Sequence, residues 1–318
     1  MTQIPEARIE NGSQRPFWSV MIPTYNPRRD YLEQALSSVL SQDPGQDRMQ
    51  IEVVDDCSPE VDVAGLVRSI AGDRVATSMN AANLGLAGNW NACISRAHGT
   101  WVHILHQDDF ILPEFYRRVE QVAASHPEVG LIATRSFLVD KDGVISGITS
   151  RVRELEGGGR DASAFYYNTP FPCPGVVVRR SFYQEHGGFR PDLTYALDCE
   201  MWARVISLSG GIVIPDILAS YRTSMVHESK RLVRTTGALQ DLTRLTAIFA
   251  ARYQDFDAEK MRRNICGMAI MYAEQFRQTG DFEAASNNLR YWETNAPVKQ
   301  RLRHFLGSVV RRAVRIEQ

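Results

Sequence analysis

Three short runs of this sequence combine side chains that bind metal ions, ribose hydroxyls or phosphates. They read PTYN at residues 23–26, DDCSP at 55–59 and HQDD at 106–109. The neighbouring carboxylates of Asp108 and Asp109 repel each other, so they need either a cation or open water. Hard divalent ions such as Mg²⁺ or Mn²⁺ take carboxylate oxygens and leave positions for phosphate oxygens. HQDD therefore predicts a divalent-metal site for a diphosphate, unless Asp109 only caps a helix starting near Pro113 and Asp108 is solvated.

The acids at residues 55 and 56 favour a nucleotide site. An acidic residue after the second strand of a doubly wound sheet can hold a ribose. A dinucleotide site would also need G-x-G-x-x-G after the first strand, and the loop there, PTYNPRRD, lacks it. That loop instead offers a hydroxyl, an aromatic face and an amide for a base and ribose, from Pro23, Thr24, Tyr25 and Asn26. Ordinary turn chemistry is the alternative explanation of the two acids.

A fourth run, NLGLAGNWN at residues 83–91, stands at the head of a predicted helix. Asn83, Gly85 and Asn89 belong to it. Unpaired N–H groups and the positive end of the helix dipole favour an anion at such a place, so a nest for phosphate is one interpretation. An ordinary glycine-rich helix start is the other.

Alternating strands and helices position these runs. Apolar stretches predict strands over Phe17–Ile22, Ile51–Val54, Val75–Ser78 and Trp101–Leu105, with helices from Asp30, over 60–71 and over 87–97 between them. This alternation predicts an α/β protein with a mostly parallel sheet and helices on both faces. Ligands of such sheets bind at the carboxyl ends of the strands, which is where the polar runs fall.

The pattern changes in the second half of the chain. Short strands are predicted at 131–133, 137–139, 144–145, 176–178, 212–214 and 217–221, with a helix over 198–208 and a mobile loop at Gly157–Gly159. From about residue 228 every window is helical, with breaks at 279–281 and 295–297. The sequence thus predicts a flexible leader over 1–16, a catalytic domain over 17–230 and a C-terminal helical region over 231–318.

Composition excludes several classes of protein. The 36 basic and 37 acidic side chains give a net charge of −1, so no overall field favours nucleic acid as a partner. Five scattered cysteines without C-x-x-C spacing predict buried thiols in a reducing compartment. The sequence shows neither a signal core nor an apolar run of the roughly 20 residues that a membrane span needs, which predicts a cytoplasmic protein.

A basic amphipathic stripe over 297–316 raises the question of a membrane surface. It favours peripheral contact with an anionic leaflet, and it equally suits packing on the preceding helices or on a second subunit.

The four runs, in this order and at this spacing, resemble the family 2 nucleotide-sugar glycosyltransferases of the GT-A fold, particularly bacterial members that make surface polysaccharides. The resemblance covers about residues 17–230. It implies a UDP-, dTDP- or GDP-linked sugar donor, Mg²⁺ or Mn²⁺, and transfer with inversion. It further implies that Tyr25 and Asp56 hold the base and ribose, while Pro23 and Thr24 line the site. His106 replaces the first acid of the D-x-D motif, which leaves Asp108 and Asp109 as the metal ligands.

The same resemblance implies residues farther along the chain. Asp198, in the run YALDCEMWAR, matches the catalytic base that takes a proton from the acceptor hydroxyl. Trp202 shares its helical face and is expected to stack on a sugar. Arg222 and His227 match a basic element that meets the diphosphate and the metal. An amphipathic helix capped by a solvated Asp198 is the alternative, and His103 is expected to satisfy local hydrogen bonds only.

Other functions remain open from the sequence. Loss of the first acid at His106 fits a protein that binds nucleotide sugar or glycan without transferring it. A natural-product tailoring glycosyltransferase fits the same motifs, whereas a sugar-1-phosphate nucleotidyltransferase would need a glycine- and lysine-containing N-terminal signature that is missing. The expected acceptor is a glycan or a lipid-linked glycan, and a homo-oligomer is compatible with the sequence.

Overall fold

A computed structural model of the chain describes residues 2–6, 15–223, 228–297 and 301. The chain divides into two compact units, Met1–Met225 and Val226–Gln318. Each unit is described by itself below. The boundary predicted at residue 230 lies within a helix of the second unit, Glu228–Arg234.

Nine strands of the described residues form one sheet in the first unit. They are β1 Trp18–Thr24, β2 Met49–Asp55, β3 Ala76–Met79, β4 Trp101–Ile104, β5 Phe110–Ile111, β6 Leu131–Val139, β7 Ile145–Ile148, β8 Val176–Arg179 and β9 Gly211–Arg222. Their order is β3-β2-β1-β4-β8-β6-β9-β5, with β7 beside β6. The first four strands are parallel, while β8 runs antiparallel to both β4 and β6. The predicted α/β class is confirmed, and the sheet is mixed beyond β4.

Six helices of the first unit accompany this sheet within the described range 15–223. They are α1 Arg29–Leu40, α2 Val63–Ala71, α3 Gly85–Arg96, α4 Phe115–Ser125, α5 Arg180–His186 and α6 Leu197–Ser209. The helix predicted from Asp30 is confirmed as α1, and its buried stripe of Leu32, Ala35, Leu36 and Val39 belongs to a core cluster that also contains residues of β1 and β2. Burial of such a stripe, rather than helix propensity, supplies most of the stability of a helix of this length.

Two pairs of predicted short strands are each one continuous strand. Residues 131–133 and 137–139 belong to β6, and 212–214 and 217–221 belong to β9. Polar Thr134 and Ser136 broke the apolar pattern of β6, yet both are buried in the sheet. Pro215 stays in β9 because the pairing register shifts from Ile214 to Ile217 there, so the proline occupies a bulge.

The loop at Gly157–Gly159 is joined to the sheet, contrary to the expectation of a mobile loop. The Gly159 N–H donates to the Gly211 carbonyl at 2.9 Å, and the Gly211 N–H donates back to Gly159 at 2.8 Å. These two bonds form an isolated antiparallel β-bridge between Gly159 and Gly211, the first residue of β9. Within this run Gly158 adopts a left-handed φ of 77°, a conformation that glycine takes without strain.

Residues 2–6 of the predicted leader contact the first unit. Ile4 is buried, and the Thr2 carbonyl accepts a hydrogen bond from the Gly188 N–H at 2.8 Å. Arg180 donates to the Pro5 carbonyl at 3.0 Å.

The second unit is helical, as predicted. Its helices within 228–297 are α7 Glu228–Arg234, α8 Gly237–Arg252, α9 Ala258–Gln278 and α10 Phe282–Asn295. The breaks predicted at 279–281 and 295–297 are confirmed, and further breaks fall at 235–236 and 253–257. Asp257 and Asp281 cap α9 and α10 by accepting N–H groups of Lys260 and Ala284. Among the helices described, none combines the length and apolar character needed to cross a bilayer. Most of the stripe at 297–316 lies outside the described residues.

Candidate active site

The sheet brings the three polar runs to one edge. Thr24 at the end of β1 pairs with Asp55 at the end of β2, and Met21 of β1 pairs with Ile104 at the end of β4. Parallel strands end at the same edge, so PTYN, DDCSP and HQDD follow three adjacent strand ends. The sequence-based expectation for the placement of these runs is therefore confirmed.

Side-chain hydrogen bonds join the PTYN and DDCSP loops to each other. The Asn26 N–H donates to Ser58 Oγ at 2.8 Å, and Asn26 Oδ1 accepts from the Glu60 N–H at 3.2 Å. Ser58 in turn donates to Asp55 Oδ1 at 2.5 Å. Asn26 adopts a left-handed φ of 43°, which asparagine tolerates better than most residues. Tyr25 stays 45% exposed beside this framework, so its ring is accessible to a ligand.

Asp56 is the cap of helix α3. Its Oδ1 accepts from the Leu84 N–H at 2.9 Å and from the Asn80 side-chain amide at 2.8 Å. Its Oδ2 accepts from the Gly85 N–H at 2.9 Å. A carboxylate here is stabilised by the positive end of the helix dipole.

The amides expected to face a phosphate thus contact Asp56 in the structure. The Gly85 N–H also donates to Asn83 Oδ1 at 3.0 Å. The assignments of Asn83 and Gly85 to phosphate, and of Asp56 to base and ribose, stay predictions.

Asn89 ties strand ends together from inside the domain. It is buried, its Nδ2 donates to the carbonyls of Val54 at 3.2 Å and Thr24 at 3.4 Å, and its Oδ1 accepts from Asn80. This position supports the PTYN loop from beneath. The Asn89 amide is thus bonded to protein groups, and its predicted contact with a donor stays untested.

Asp109 is the buried member of the HQDD turn. Its Oδ1 accepts from the Arg222 N–H at 2.8 Å, which joins the turn to the end of β9. Its Oδ2 lies 3.2 Å from His106 Nδ1. Burial raises the pKa of Asp109 to about 6, against the opposing effect of His106. The alternative in which Asp109 caps α4 is wrong, because α4 starts at Phe115 and the Asp109 carboxylate faces β9.

The HQDD turn is also the place where a metal would fit. One ligand atom each from His106, Asp108 and Asp109 lies within 4.8 Å of the others, and among the described residues these three form the group with metal-like spacing. Asp109 Oδ2 is buried without a hydrogen bond of good geometry, and Asp108 is half-buried at the surface of the turn. Oxygen ligands with one accessible carboxylate suit a hard divalent ion that also binds phosphate. The residues present therefore fit Mg²⁺ or Mn²⁺.

Two neighbours of His106 were not found from the sequence. The Trp90 ring stacks on the His106 ring with centroids 4.8 Å apart, and Cys173 lies beside the same imidazole. Burial by itself lowers the pKa of His106, but Cys173 and Asp109 outweigh it and hold that pKa well above its usual range. Trp90 lies within the quoted NLGLAGNWN run, whereas nothing in the sequence around Cys173 marks it.

Asp198 lies on a different element, in the first turn of α6. Its Oδ1 accepts the Cys199 N–H at 2.7 Å. Burial raises the pKa of Asp198 to about 6, although the Cys199 amide and the nearby His106 charge act in the opposite direction. Burial and the nearby carboxylates of Asp109 and Asp198 raise the pKa of Tyr221. The carboxylate of α6 and the HQDD turn thus share one electrostatic environment.

The helix that carries Asp198 is fixed by a buried ion pair. Arg204 Nε donates to Glu200 Oε1 at 2.9 Å, and both side chains are at most 3% exposed. Arg204 also donates to the carbonyls of His186 and Gly188. The Glu200 carboxylate is thus paired with Arg204 in the core.

Trp202 does not stack on a sugar in this structure. Its side chain is 1% exposed and packs edge-on against Phe189, with ring centroids 5.8 Å apart. Helical spacing placed Trp202 on the face of Asp198, but the first turn of α6 reaches the site while the next turn lies in the core.

Replacing Glu200 tests how far α6 depends on this ion pair. We expect Glu200→Ala to lower the free energy of unfolding by about 3–5 kcal/mol, because it leaves the Arg204 charge buried without a carboxylate. Chemical denaturation of the variant measures this change. The exposed pair Arg190 and Asp192 provides the control, since Asp192→Ala should cost under about 1 kcal/mol. Equal losses for both variants would contradict the role of the buried pair.

The Arg222 guanidinium donates its hydrogen bonds to protein acceptors. Nε donates to the Asp108 carbonyl at 2.9 Å, Nη1 to the Asp140 carbonyl at 3.0 Å and Nη2 to Gln34 Oε1 at 2.6 Å. The guanidinium also lies over the Tyr31 ring at 4.1 Å. In the structure Arg222 therefore positions the HQDD turn, and its predicted contact with the diphosphate stays a prediction.

Of the two other histidines named from the sequence, His103 lies within the described residues and His227 does not. His103 bonds to the Tyr116 hydroxyl and the Pro174 carbonyl, both at 3.0 Å, which confirms its local role. Burial lowers the pKa of His103 to about 4. His227, the third predicted metal ligand, lies outside the described residues.

The cysteines confirm the expectation of free thiols. Cys57 is half-buried, and Cys93, Cys173, Cys199 and Cys266 are buried without disulfides.

Relatives with similar sequences cover different parts of the chain. An uncharacterized protein of Mycobacterium tuberculosis is 28% identical over 246 residues, which are 73% of this chain and 75% of that protein. An uncharacterized protein of Sinorhizobium fredii is 31% identical over 63% of this chain but only 21% of its own length. The succinoglycan biosynthesis protein ExoO of Rhizobium meliloti is 32% identical over 36% of this chain and 32% of its own length.

Solved structures similar to this fold include two complexes with nucleotide sugars. S. aureus TarS with UDP-GlcNAc is 15% identical, has a TM-score of 0.54, and matches 87% of this chain and 91% of that chain. The mannosyltransferase PcManGT of Pyrobaculum calidifontis with GDP-Man and Mn²⁺ is 18% identical, has a TM-score of 0.55, and matches 98% of this chain and 83% of that chain. At these identities the likeness concerns the fold, which is GT-A.

The family assignment comes from the sequence of the sheet and its first loops. The sequence model described as "Glycosyl transferase family 2" matches residues 19–187, more than half of the chain. The match contains the PTYN, DDCSP and HQDD runs and ends before Asp198. The chain therefore belongs to glycosyl transferase family 2, and it is a glycosyltransferase of the GT-A fold.

Proposed function

We propose that this glycosyltransferase is inverting and metal-dependent, and that it moves a sugar from a nucleoside-diphosphate donor to a hydroxyl acceptor. One observation carries the proposal: Asp198 on α6 and the acids of the HQDD turn come from separate elements yet share one electrostatic environment. Inversion needs a base on the face of the sugar opposite the leaving diphosphate, and a carboxylate on a different element from the HQDD acids is compatible with this requirement.

The donor would lie along the carboxyl edge of β1, β2 and β4. Tyr25 offers an exposed ring to the base at the end of β1, and the half-buried carboxylate of Asp108 follows the adjacent strand β4. Asp108 and Asp109, with His106 beside them, would hold Mg²⁺ or Mn²⁺, which neutralises diphosphate charge when bound. The complexes of TarS with UDP-GlcNAc and of PcManGT with GDP-Man and Mn²⁺ support a donor of this class.

Asp198 would act as the general base. Its carboxylate takes the proton of the acceptor hydroxyl while the acceptor oxygen bonds to the anomeric carbon. The bond from that carbon to the diphosphate oxygen breaks, and its electron pair leaves with the nucleoside diphosphate. The raised pKa of about 6 suits this role, because a base works best when its pKa lies near the working pH.

The acceptor is proposed from a relative. ExoO carries the description of a succinoglycan biosynthesis protein, which supports a role of this chain in polysaccharide assembly with a glycan or lipid-linked acceptor. A cytoplasmic location, peripheral membrane contact through 297–316, and a homo-oligomer belong to the same proposal.

The rate of transfer should depend on pH through Asp198. Only the ionised carboxylate can accept a proton, so kcat should rise about tenfold per pH unit below pH 6 and level off above it. Initial rates at saturating donor between pH 4.5 and 8 measure this. Asp109 also has a pKa of about 6, so the pH profile of Asp198→Asn, in which Asp109 still titrates, shows how much of the dependence belongs to Asp109. A kcat that is flat across this range would contradict Asp198 as the base.

The donor class is tested by binding before any acceptor is known. Thermal shifts with UDP-, GDP- and dTDP-linked sugars, each with and without Mn²⁺, should show one base preferred and a larger shift with the metal. Donor hydrolysis then shows whether the bound sugar is activated. Binding without hydrolysis or transfer to any tested glycan would favour the alternative, a nucleotide-sugar-binding protein.

A further inference from the structure

The side chain of Gln107 forms a two-point bridge across the candidate site. Gln107 Oε1 accepts the Tyr25 N–H at 2.9 Å, and Gln107 Nε2 donates to the Tyr25 carbonyl at 3.3 Å. Both halves of one side-chain amide are thus bonded to the main chain of a single residue 82 positions away. Two bonds fix an orientation, whereas one bond would leave the loop free to pivot.

This bridge begins where the backbone ladder ends. The main-chain pairing of β1 with β4 finishes at the bond from the Leu105 N–H to the Met21 carbonyl, at 3.0 Å. Beyond that point β4 ends, β1 continues beside β2 as far as Thr24, and Asn26 then turns the chain with its left-handed φ of 43°. Gln107 therefore continues the link between the two strand ends by means of a side chain.

The bridge joins Tyr25 to the residue that precedes Asp108. Tyr25 and Asp108 are expected to contact different parts of a donor. Tyr25 presents its exposed ring on one side, and Asp108 follows Gln107 directly on the other. The turn itself is closed by the Asp109 N–H donating to the His106 carbonyl at 3.2 Å. Since that turn is also held by Arg222, a loop fixed to Gln107 is fixed relative to Asp108.

We propose that Gln107 is a positioning residue, which holds the Tyr25 loop and the Asp108 carboxylate at the spacing that a nucleoside diphosphate requires. The inference rests on the proposed function, because it takes Tyr25 and Asp108 as donor contacts. A preformed spacing favours binding by removing the ordering that the loop would otherwise need at that moment. Its loss should weaken donor binding and leave the chemical step at saturating donor unchanged.

The test replaces Gln107 by methionine, which keeps the length of the side chain and removes both hydrogen bonds. Gln42→Met is the matched control, because Gln42 likewise makes two side-chain hydrogen bonds to the main chain. Its Nε2 donates to the carbonyls of Ser38 and Leu112. Gln42 belongs to none of the polar runs at the carboxyl edge. The probes are UDP, GDP and dTDP titrated with Mn²⁺ by calorimetry. Donor hydrolysis supplies KM and kcat, and thermal unfolding supplies Tm.

For Gln107→Met we expect the Kd of the preferred nucleotide and the donor KM to rise about five- to tenfold, with kcat within about twofold of the wild type and Tm unchanged. Gln42→Met should leave Kd and KM unchanged. An unaltered Kd for Gln107→Met, an equal loss in the control, or a fall in kcat without a change in KM would overturn the inference. A wild-type protein that binds none of the three nucleotides would overturn the proposed function, and this inference with it.

Discussion

Asp198→Asn should lower the rate of sugar transfer by about 10²–10⁴-fold while nucleotide binding stays intact. The amide keeps the shape of the side chain but accepts no proton, so the acceptor hydroxyl would have to attack without a base. The donor contacts proposed for Tyr25 and Asp108 come from other elements and should not change. Single-turnover transfer and nucleotide titration measure the two effects separately.

Asp192→Asn is the control for Asp198→Asn. Asp192 is an acid close to the start of α6, but it is exposed and paired with Arg190. Its replacement should leave transfer within about twofold of the wild type, as expected for an exposed pair. Turnover of Asp198→Asn that equals the wild type would exclude Asp198 as the base.

Asp108→Asn should produce the second large effect, a loss of about 10²–10³-fold in kcat/KM together with a weaker response to Mn²⁺. A neutral amide binds a hard divalent ion less well than a carboxylate, so less positive charge is available to the leaving diphosphate. Mn²⁺ titration with bound nucleotide measures the affinity for the metal directly. Transfer rates then show whether the loss of affinity and the loss of rate agree.

Asp109→Asn tests whether Asp109 acts only as a metal ligand or also stabilises the HQDD turn. Asp109 is 1% exposed and accepts the Arg222 N–H, so its replacement should lower Tm as well as activity. Asp108 is half-buried on the turn, and Asp108→Asn should leave Tm within a few degrees of the wild type. An unchanged Mn²⁺ response in Asp108→Asn would count against its place at the metal.

The sequence predicted the position of the site because position follows from two local patterns. Strands are recognised by buried apolar runs, and parallel strands end at a common edge, so residues 23–26, 55–59 and 106–109 had to meet. The resemblance to family 2 rested on the same runs, and the family match confirms it. Asp108 and Asp109 were found in this way, whereas Asp198 came from the resemblance to family 2 alone.

The partners of those acids were not predictable, because they come from distant parts of the chain. Asp109 accepts from an amide 113 residues away, and Arg222 reaches a glutamine 188 residues away. No short pattern records such pairs. The interpretation of Asn83 and Gly85 as a phosphate nest overlooked Asp56 for the same reason, since the cap of α3 comes from another loop.

Helical periodicity also misled at Trp202. The position of a residue on a helical face predicts the direction of its side chain and says little about its burial. Trp202, one turn after Asp198, is therefore buried in the core. Polar Thr134 and Ser136 had the opposite effect in β6, where backbone pairing with β9 carries the strand through a polar stretch. Tertiary contacts decided both cases.

The reversed direction of β8 has a consequence for how members of this family can diverge. Because β8 runs antiparallel to β4, the chain must return to the carboxyl edge before β8 starts, and residues 149–175 make that return. Cys199 of α6 bonds to the Phe165 carbonyl within this stretch, so the stretch borders the proposed base. Insertions there would leave the parallel ladder of β1 to β4 unchanged. We therefore expect relatives that use different acceptors to differ in residues 149–175 more than in the ladder of β1 to β4.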